Sequence, residues 1–167
     1  MTVYAYYESP LGKITMEAEE GALTGLWFTR DSEREMTESD SKIFDETKRW
    51  LMDYFAGKRP DFMPELRLQG TEFRNIVWNI LRTIPYGETV TYGAVASEAA
   101  RRMGKTRMSA QAAGGAVGHN PICLIIPCHR VIGSDGSLTG YAEGLWRKEA
   151  LLRLEQTGCI CNIQLEG

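Results

Sequence analysis

Apolar residues and turn signals change their spacing once along this 167-residue chain, between Arg59 and Gly70, and that change constrains the fold most. Before it, short β-prone runs at residues 3–8, 13–18 and 23–28 are separated by Ser9-Pro10-Leu11-Gly12 and Gly21, a pattern of strands joined by tight turns. Ser41 can then cap a helix whose apolar face is Phe44, Trp50, Leu51, Tyr54 and Phe55, ended by Gly57 ahead of Pro60. After it, helical spacing dominates. Thr71 precedes Phe73, Val77, Ile80, Leu81 and Ile84, stopped by Pro85 and Tyr86-Gly87. Thr91 can cap a second helix, from Tyr92 to about Met103, and a third runs from about Arg107 to Val117. Residues 123–127 read as an extended buried core, Ser134-Asp135-Gly136 as a hairpin turn, and residues 145–155 as a last helix. The expected class is α+β: a small α/β domain over residues 1–65 and a mainly helical domain over residues 70–160.

Apolar and charged fractions of 43% and 25% are those of a globular protein. No apolar run approaches the roughly 20 residues of a membrane helix, and residues 1–7 lack the form of a secretory signal. A cytoplasmic protein is expected. The net charge of −3 speaks against a nucleic-acid binder, but a field acts locally. Residues 1–69 hold 9 Lys/Arg against 14 Asp/Glu, whereas residues 70–167 hold 10 against 8. Arg101, Arg102, Lys105 and Arg107 cluster at the joint between the second and third helices. Such a pair with a basic joint fits a helix-turn-helix, although a solvated helix end would look the same. Gly114-Gly115 inside the third helix costs about 1 kcal/mol per residue relative to alanine. Close approach of that helix to another surface, the protein's own core included, would explain it.

The four cysteines are Cys123, Cys128, Cys159 and Cys161, too few for a disulfide framework, with Cys159 and Cys161 read as part of an inert tail. With two histidines and no CxxC pair, no metal is expected. Cys128 stands between Pro127 and the pair His129-Arg130. The thiolate, not the thiol, is the nucleophile, so a base and a cation beside a cysteine suit nucleophilic chemistry. A buried, inert cysteine next to a chance histidine is the other reading of the same residues.

Pro127-Cys128-His129-Arg130-Val131 resembles the active-site signature of the O6-alkylguanine-DNA alkyltransferases, or methylated-DNA–protein-cysteine methyltransferases. Gly70-Thr71-Glu72-Phe73, Pro85-Tyr86-Gly87-Glu88-Thr89-Val90-Thr91-Tyr92, and Gly140-Tyr141 with Gly144-Leu145 resemble other parts of that family in consistent order. The resemblance spans about residues 70–158, and residues 1–69 suit the family's ribonuclease-H-like N-terminal domain. It implies a winged-helix-like catalytic domain that repairs DNA by single, irreversible transfer of an alkyl group from O6-alkylguanine, and from O4-alkylthymine, to its own cysteine. It implies no cofactor, a monomer, and binding of double-stranded DNA through the minor groove.

By that resemblance Cys128 is the alkyl acceptor and His129 the base acting through a bridging water. Glu155 orients His129, and Asn120 is the hinge that ties the turn before the active-site strand. Tyr92 faces the flipped nucleotide, and Val131, Tyr141 and Ala142 line the guanine pocket. Gly114 and Gly115, with Ala110, Ala113 and Ala116, form the small face that enters the groove, while Arg102, Arg107 and Arg130 belong to the DNA and substrate contacts. Gln111 stands where the family has a wedge arginine, and Glu143 where it has a small residue. Three rival readings are a lesion sensor, whose class replaces the cysteine, a Cys-His hydrolase, for which no oxyanion-hole motif is present, and a purely structural DNA-binding module.

Overall fold

The computed structural model describes residues 1–160. Strands β1 (Thr2–Ser9), β2 (Gly12–Glu19) and β3 (Ala22–Phe28) form an antiparallel sheet in that order. The first turn is closed by Ser9, whose hydroxyl donates to the Gly12 carbonyl at 2.6 Å and accepts from the Leu11 amide at 3.1 Å. The second places Glu20 and Gly21 at positive φ, the two-residue geometry that follows the twist of paired strands. Helix α1 (Lys42–Phe55) covers the sheet with Phe44, Trp50, Leu51 and Tyr54, joined by Ile43 and Thr47. Ser41 occupies the cap position, but its hydroxyl makes no capping bond.

Helices α2 (Glu72–Leu81), α3 (Tyr92–Arg102) and α4 (Ala110–Gly118) pack on one another. Thr71, Thr91 and Ser109 each accept from the backbone amide three residues on, a cap contributing about 1 kcal/mol. Because Ser109 is the cap, α4 starts at Ala110 rather than near Arg107, and Arg107 and Met108 lie in the connecting loop. Strand β4 (Val90–Thr91) pairs in parallel with β5 (Val131–Ile132), fastening the start of α3 to the chain that leaves Cys128. Helix α5 (Leu145–Thr157) ends at Gly158, whose φ of 75° is the left-handed stop that glycine takes without strain.

Three expectations need correction. Residues 123–127 are buried but turn rather than extend: Ile126 donates to the Ile122 carbonyl, Cys128 to that of Ile126, and Leu124 has a φ of 71°. Ile125 and Ile126 spend their amides on the Cys123 and Ile122 carbonyls, and Pro127 has none, so no ladder forms. A single bridge remains, in which Leu26 donates to the Pro121 carbonyl and Cys123 to that of Leu26, each at 2.9 Å. The turn at Ser134-Asp135-Gly136 is closed by Gly133 and Ser137 but joins no hairpin, since β5 has paired with β4 instead. Cys159, expected in an unremarkable tail, is disulfide-bonded, and Cys161 lies outside the described residues.

One apolar core runs from Ala5 through Leu26 and Ile122 to Leu154 and includes Cys128. The active-site turn is therefore bolted to β3 of the N-terminal sheet. No helix among the described residues is long and apolar enough to cross a membrane. No group of three or more His, Cys, Asp or Glu that could hold a metal is found among them.

Candidate active site

Cys128 opens a single turn of 3-10 helix, Cys128–Arg130, placed directly after Pro127. That turn points three consecutive side chains into the protein: Cys128 is 6% exposed, His129 0% and Arg130 8%. Burying a histidine and a guanidinium requires that both be paired, and Glu155 from α5 pairs with both. Its Oε2 lies 2.5 Å from His129 Nε2, and its Oε1 accepts from Arg130 Nε at 2.8 Å and from the Gly87 amide at 2.9 Å. Arg130 also donates to the Ile84 carbonyl at 2.7 Å. Arg130 is thus an internal brace for Glu155, not a group presented to DNA or substrate.

The electrostatics assign the protons. Burial would raise the Glu155 carboxyl, but hydrogen bonds and charge from His129 and Arg130 outweigh it and hold the group well below the usual carboxylate range. Burial holds His129 below its ordinary value despite the pull of Glu155. A neutral imidazole beside a carboxylate donates through Nε2, which leaves the lone pair on Nδ1. Nδ1 is buried and has no hydrogen-bond partner among the described residues.

Cys128 is pushed down in pKa, first by the neighbouring Cys123 thiol, whose Sγ also lies 3.7 Å from Glu143 Oε1, and then, against burial and the charge of Glu143, by the Asn120 amide and the charge of Lys148. Cys123 is raised in turn by the same contact and by its own burial. Asn120 donates to the Ile126 carbonyl at 2.7 Å and accepts from the Ile122 amide at 3.0 Å, so its amide spans the turn. Lys148 is fully buried, with its ammonium on the carbonyls of Val131 at 2.6 Å and Thr139 at 2.8 Å. Both are neutral partners, so the charge of Lys148 is left to act on Cys128. Lys148 and Cys123 carry chemistry that the sequence alone did not assign to them.

Cys128 borders a cavity of about 160 Å³ whose other walls include Asn120, Cys123, Tyr141, Ala142 and Glu143. The buried Tyr141 hydroxyl has no partner among the described residues. Val131 is fully buried behind this wall. Trp27 and Arg30 also line the cavity, so the N-terminal sheet contributes to a site expected from the C-terminal half alone. Glu143 is buried, accepting from the Phe28 amide at 3.2 Å with Arg30 at 3.7 Å, and burial raises its pKa against both.

Tyr92 opens α3 and donates its hydroxyl to the Thr139 carbonyl at 2.9 Å. A Cβ added at Gly114 would lie 3.7 Å from the Tyr92 ring, whereas one at Gly115 would meet nothing within 4 Å. The protein's own packing therefore gives no reason for Gly115. On α4, Ala113 and Ala116 turn inward, while Ala110, Gln111, Gly115 and Gly118 face outward. The small outward face is thus shifted from the one expected. Arg101 and Arg102 share the carboxylate of Glu98 at 2.6 and 2.9 Å, whereas Lys105 and Arg107 are exposed and form no ion pair among the described residues.

A buried thiol kept acidic, with an ionised Glu and a neutral His behind it, belongs to proteins whose cysteine is itself the nucleophile. The helix pair beside it, with its small outward face, is of the kind that docks on DNA. Residues 72–157 match the DNA-binding domain of 6-O-methylguanine DNA methyltransferase, and residues 2–68 match the ribonuclease-like domain of the same family. The chain belongs to this family. A methylated-DNA–protein-cysteine methyltransferase of Methanosarcina acetivorans is 46% identical over 156 residues, covering 91% of this chain and 97% of that protein. One from Mycobacterium tuberculosis is 41% identical over 168 residues, 99% of each. The crystal structure of Mycobacterium tuberculosis OGT in complex with DNA is similar at a TM-score of 0.81 and 43% identity, covering 93% of this chain and 94% of that one.

Proposed function

We propose that this chain repairs alkylated DNA by moving the alkyl group of O6-alkylguanine, or of O4-alkylthymine, onto Cys128, each molecule acting once. The observation that carries this reading is the buried Cys128 at the wall of a cavity, with the His129–Glu155 pair beside it. The Cys128 proton passes through a bridging water to His129 Nδ1, and Glu155 stabilises the imidazolium that forms. The thiolate attacks the alkyl carbon, a C–S bond forms, and the bond from that carbon to guanine O6 breaks. The electron pair leaves with the guanine, which takes up a proton. The unpartnered Tyr141 hydroxyl is suited to donate to the departing O6, which relieves a buried donor that is otherwise unsatisfied. The thioether left on Cys128 is not reversed by thiol exchange, so turnover stops there.

The target base has to leave the duplex, because the thiolate is buried and the alkyl carbon is stacked. The outward face of α4, with no side chain beyond Cβ at Ala110, Gly115 and Gly118, suits a minor groove about 6 Å wide. Lys105 and Arg107, exposed and without an ion pair among the described residues, suit phosphate, while Arg101 and Arg102 must first give up part of their contact with Glu98. The residues of the site all come from one chain, which suits a monomer, and a cytoplasmic location is part of the same reading. Incubating it with excess methylguanine duplex tests the reading: one lesion lost per protein molecule supports it, and either no loss or continued turnover sinks it.

Gln111 faces outward near the start of α4, where a side chain can fill the gap left by the flipped base. It brings no charge. Gln111→Arg is expected to speed repair several-fold in duplex and little in single strands, where no gap exists. Equal acceleration of both substrates would reduce Arg to an added charge.

Glu143 bounds the alkyl end of the same cavity. A methyl group fits beside it, but a benzyl ring needs an apolar slot, and this buried carboxylate, held by the Phe28 amide with Arg30 nearby, puts a polar group on that wall instead. Free O6-benzylguanine is expected to react poorly, and Glu143→Gly to raise the benzyl rate more than the methyl rate. Equal benzyl rates in the two proteins would refute this.

A further inference from the structure

A tyrosine at a fully buried position needs a partner for its hydroxyl, otherwise phenylalanine would serve better. Tyr54 of α1 is such a residue, with no exposure, its ring stacked on Trp50 at 5.2 Å and set edge-on to His129. The hydroxyl donates to Glu155 Oε2 at 2.6 Å and lies 3.3 Å from His129 Nε2. It therefore sits on the one carboxylate oxygen that also receives the His129 proton. Burial and the charge of Glu155 push its pKa well up, so it remains a donor at any pH the fold survives.

We infer that Tyr54, supplied by the N-terminal domain, is a positioning residue for the Cys128 centre: its hydrogen bond to Glu155 tempers that carboxylate and keeps His129 neutral, with the lone pair on Nδ1. This rests on the relay described above. Oε2 accepts from His129, from Tyr54 and, at 3.2 Å, from Arg130 Nη2. With the Tyr54 donor gone, Oε2 becomes more basic and draws the His129 ring toward imidazolium, which cannot take the thiol proton. Arg130 and Lys148 oppose that protonation and Glu155 favours it, while Tyr86 and Tyr141 are the further titratable groups that face Tyr54. The N-terminal domain thus helps set the protonation state of the catalytic base.

The test is Tyr54→Phe, which keeps the ring and its packing and removes only the hydroxyl. Single-turnover methyl transfer from a methylguanine duplex is followed across pH for both proteins, with Tm and DNA affinity as controls. One hydrogen bond to a charged group is lost, so transfer at neutral pH is expected to slow about tenfold. The acid limb should move to higher pH, with DNA affinity unchanged. Nitrogen-15 imidazole spectra supply a reading that needs no substrate, and only two histidines are present. Buried His129 should show protonated Nε2 and bare Nδ1 in the unsubstituted protein, and a larger imidazolium fraction in the variant at the same pH. An unchanged acid limb and imidazole signal would overturn the inference, whether the rate is unaltered or uniformly lowered. Because the spectra are read without DNA, they decide on Tyr54 even where transfer itself fails.

Discussion

Cys128→Ser is expected to abolish transfer, by on the order of 10³-fold or more, while DNA binding stays within a factor of a few. The serine hydroxyl fits the space, but neither the Cys123 thiol nor the charge of Lys148 can make it ionise near neutral pH. What is lost is the nucleophile, since the packing of α2, α3 and α4 on one another is left in place. The paired measurement is a mobility shift on methylguanine duplex and a transfer assay on the same DNA. Retained binding with no transfer is the predicted result. Transfer by the serine protein at a comparable rate would move the chemistry to another residue.

Glu155→Gln should damage both stability and rate. Glu155 is the acceptor for His129, Arg130 and Tyr54, all buried, and for the Gly87 amide at the surface. Removing its charge leaves the Arg130 guanidinium buried without a counter-ion, which costs about 3–5 kcal/mol. For a chain of this size that corresponds to a fall in Tm of roughly 6–20 °C. Transfer should drop by on the order of 10³–10⁴, as when the orienting carboxylate of a nucleophile–His–carboxylate triad is neutralised. The same pair predicts acid sensitivity. His129 is held below its unfolded value of about 6.5, so the unfolded chain binds the extra proton. Its contribution to stability is complete above that pH and is lost as pH falls through the folded value. Glu155 is likewise depressed, and adds stability that is present above about pH 4.3 and lost on further acidification. Both act in one direction. Denaturant midpoints should fall steadily as pH drops below neutrality, and Glu155→Gln should remove most of the acid end of that slope. A Tm for the variant within a degree of the unsubstituted protein would show that Arg130 finds another partner.

The three strands and the helices capped by Thr71 and Thr91 were legible because their signals are local. Ser9 to Gly12 closes one turn by its own side chain, and Thr71 and Thr91 cap helices from the position next to them. The extended reading of residues 123–127 failed because apolar character alone does not separate a strand from a buried turn, and the left-handed Leu124 leaves no trace in composition. The boundary of α4 shifted because Ser109 was a better cap than anything before it. Cys128, His129, Glu155 and Asn120 were placed by motif, and the structure brings them together. Arg130 was taken for a substrate contact because a basic residue beside a nucleophile suggests one, and only the packing of α5 reveals it as the partner of Glu155. The N-terminal contributions of Tyr54, Trp27 and Arg30 were invisible for the same reason. Each comes from a strand end or helix face that reads as ordinary core or loop until β3 is joined to Ile122.

The most direct measurement is where the methyl group ends. The unsubstituted protein, incubated with one equivalent of methylguanine duplex, should gain a single methyl in place of hydrogen by intact mass. Peptide mapping should find that methyl on Cys128 and leave Cys123, a neighbour on the same cavity wall, unmodified. Methyl on Cys123, or tight binding with no gain in mass, would contradict the account.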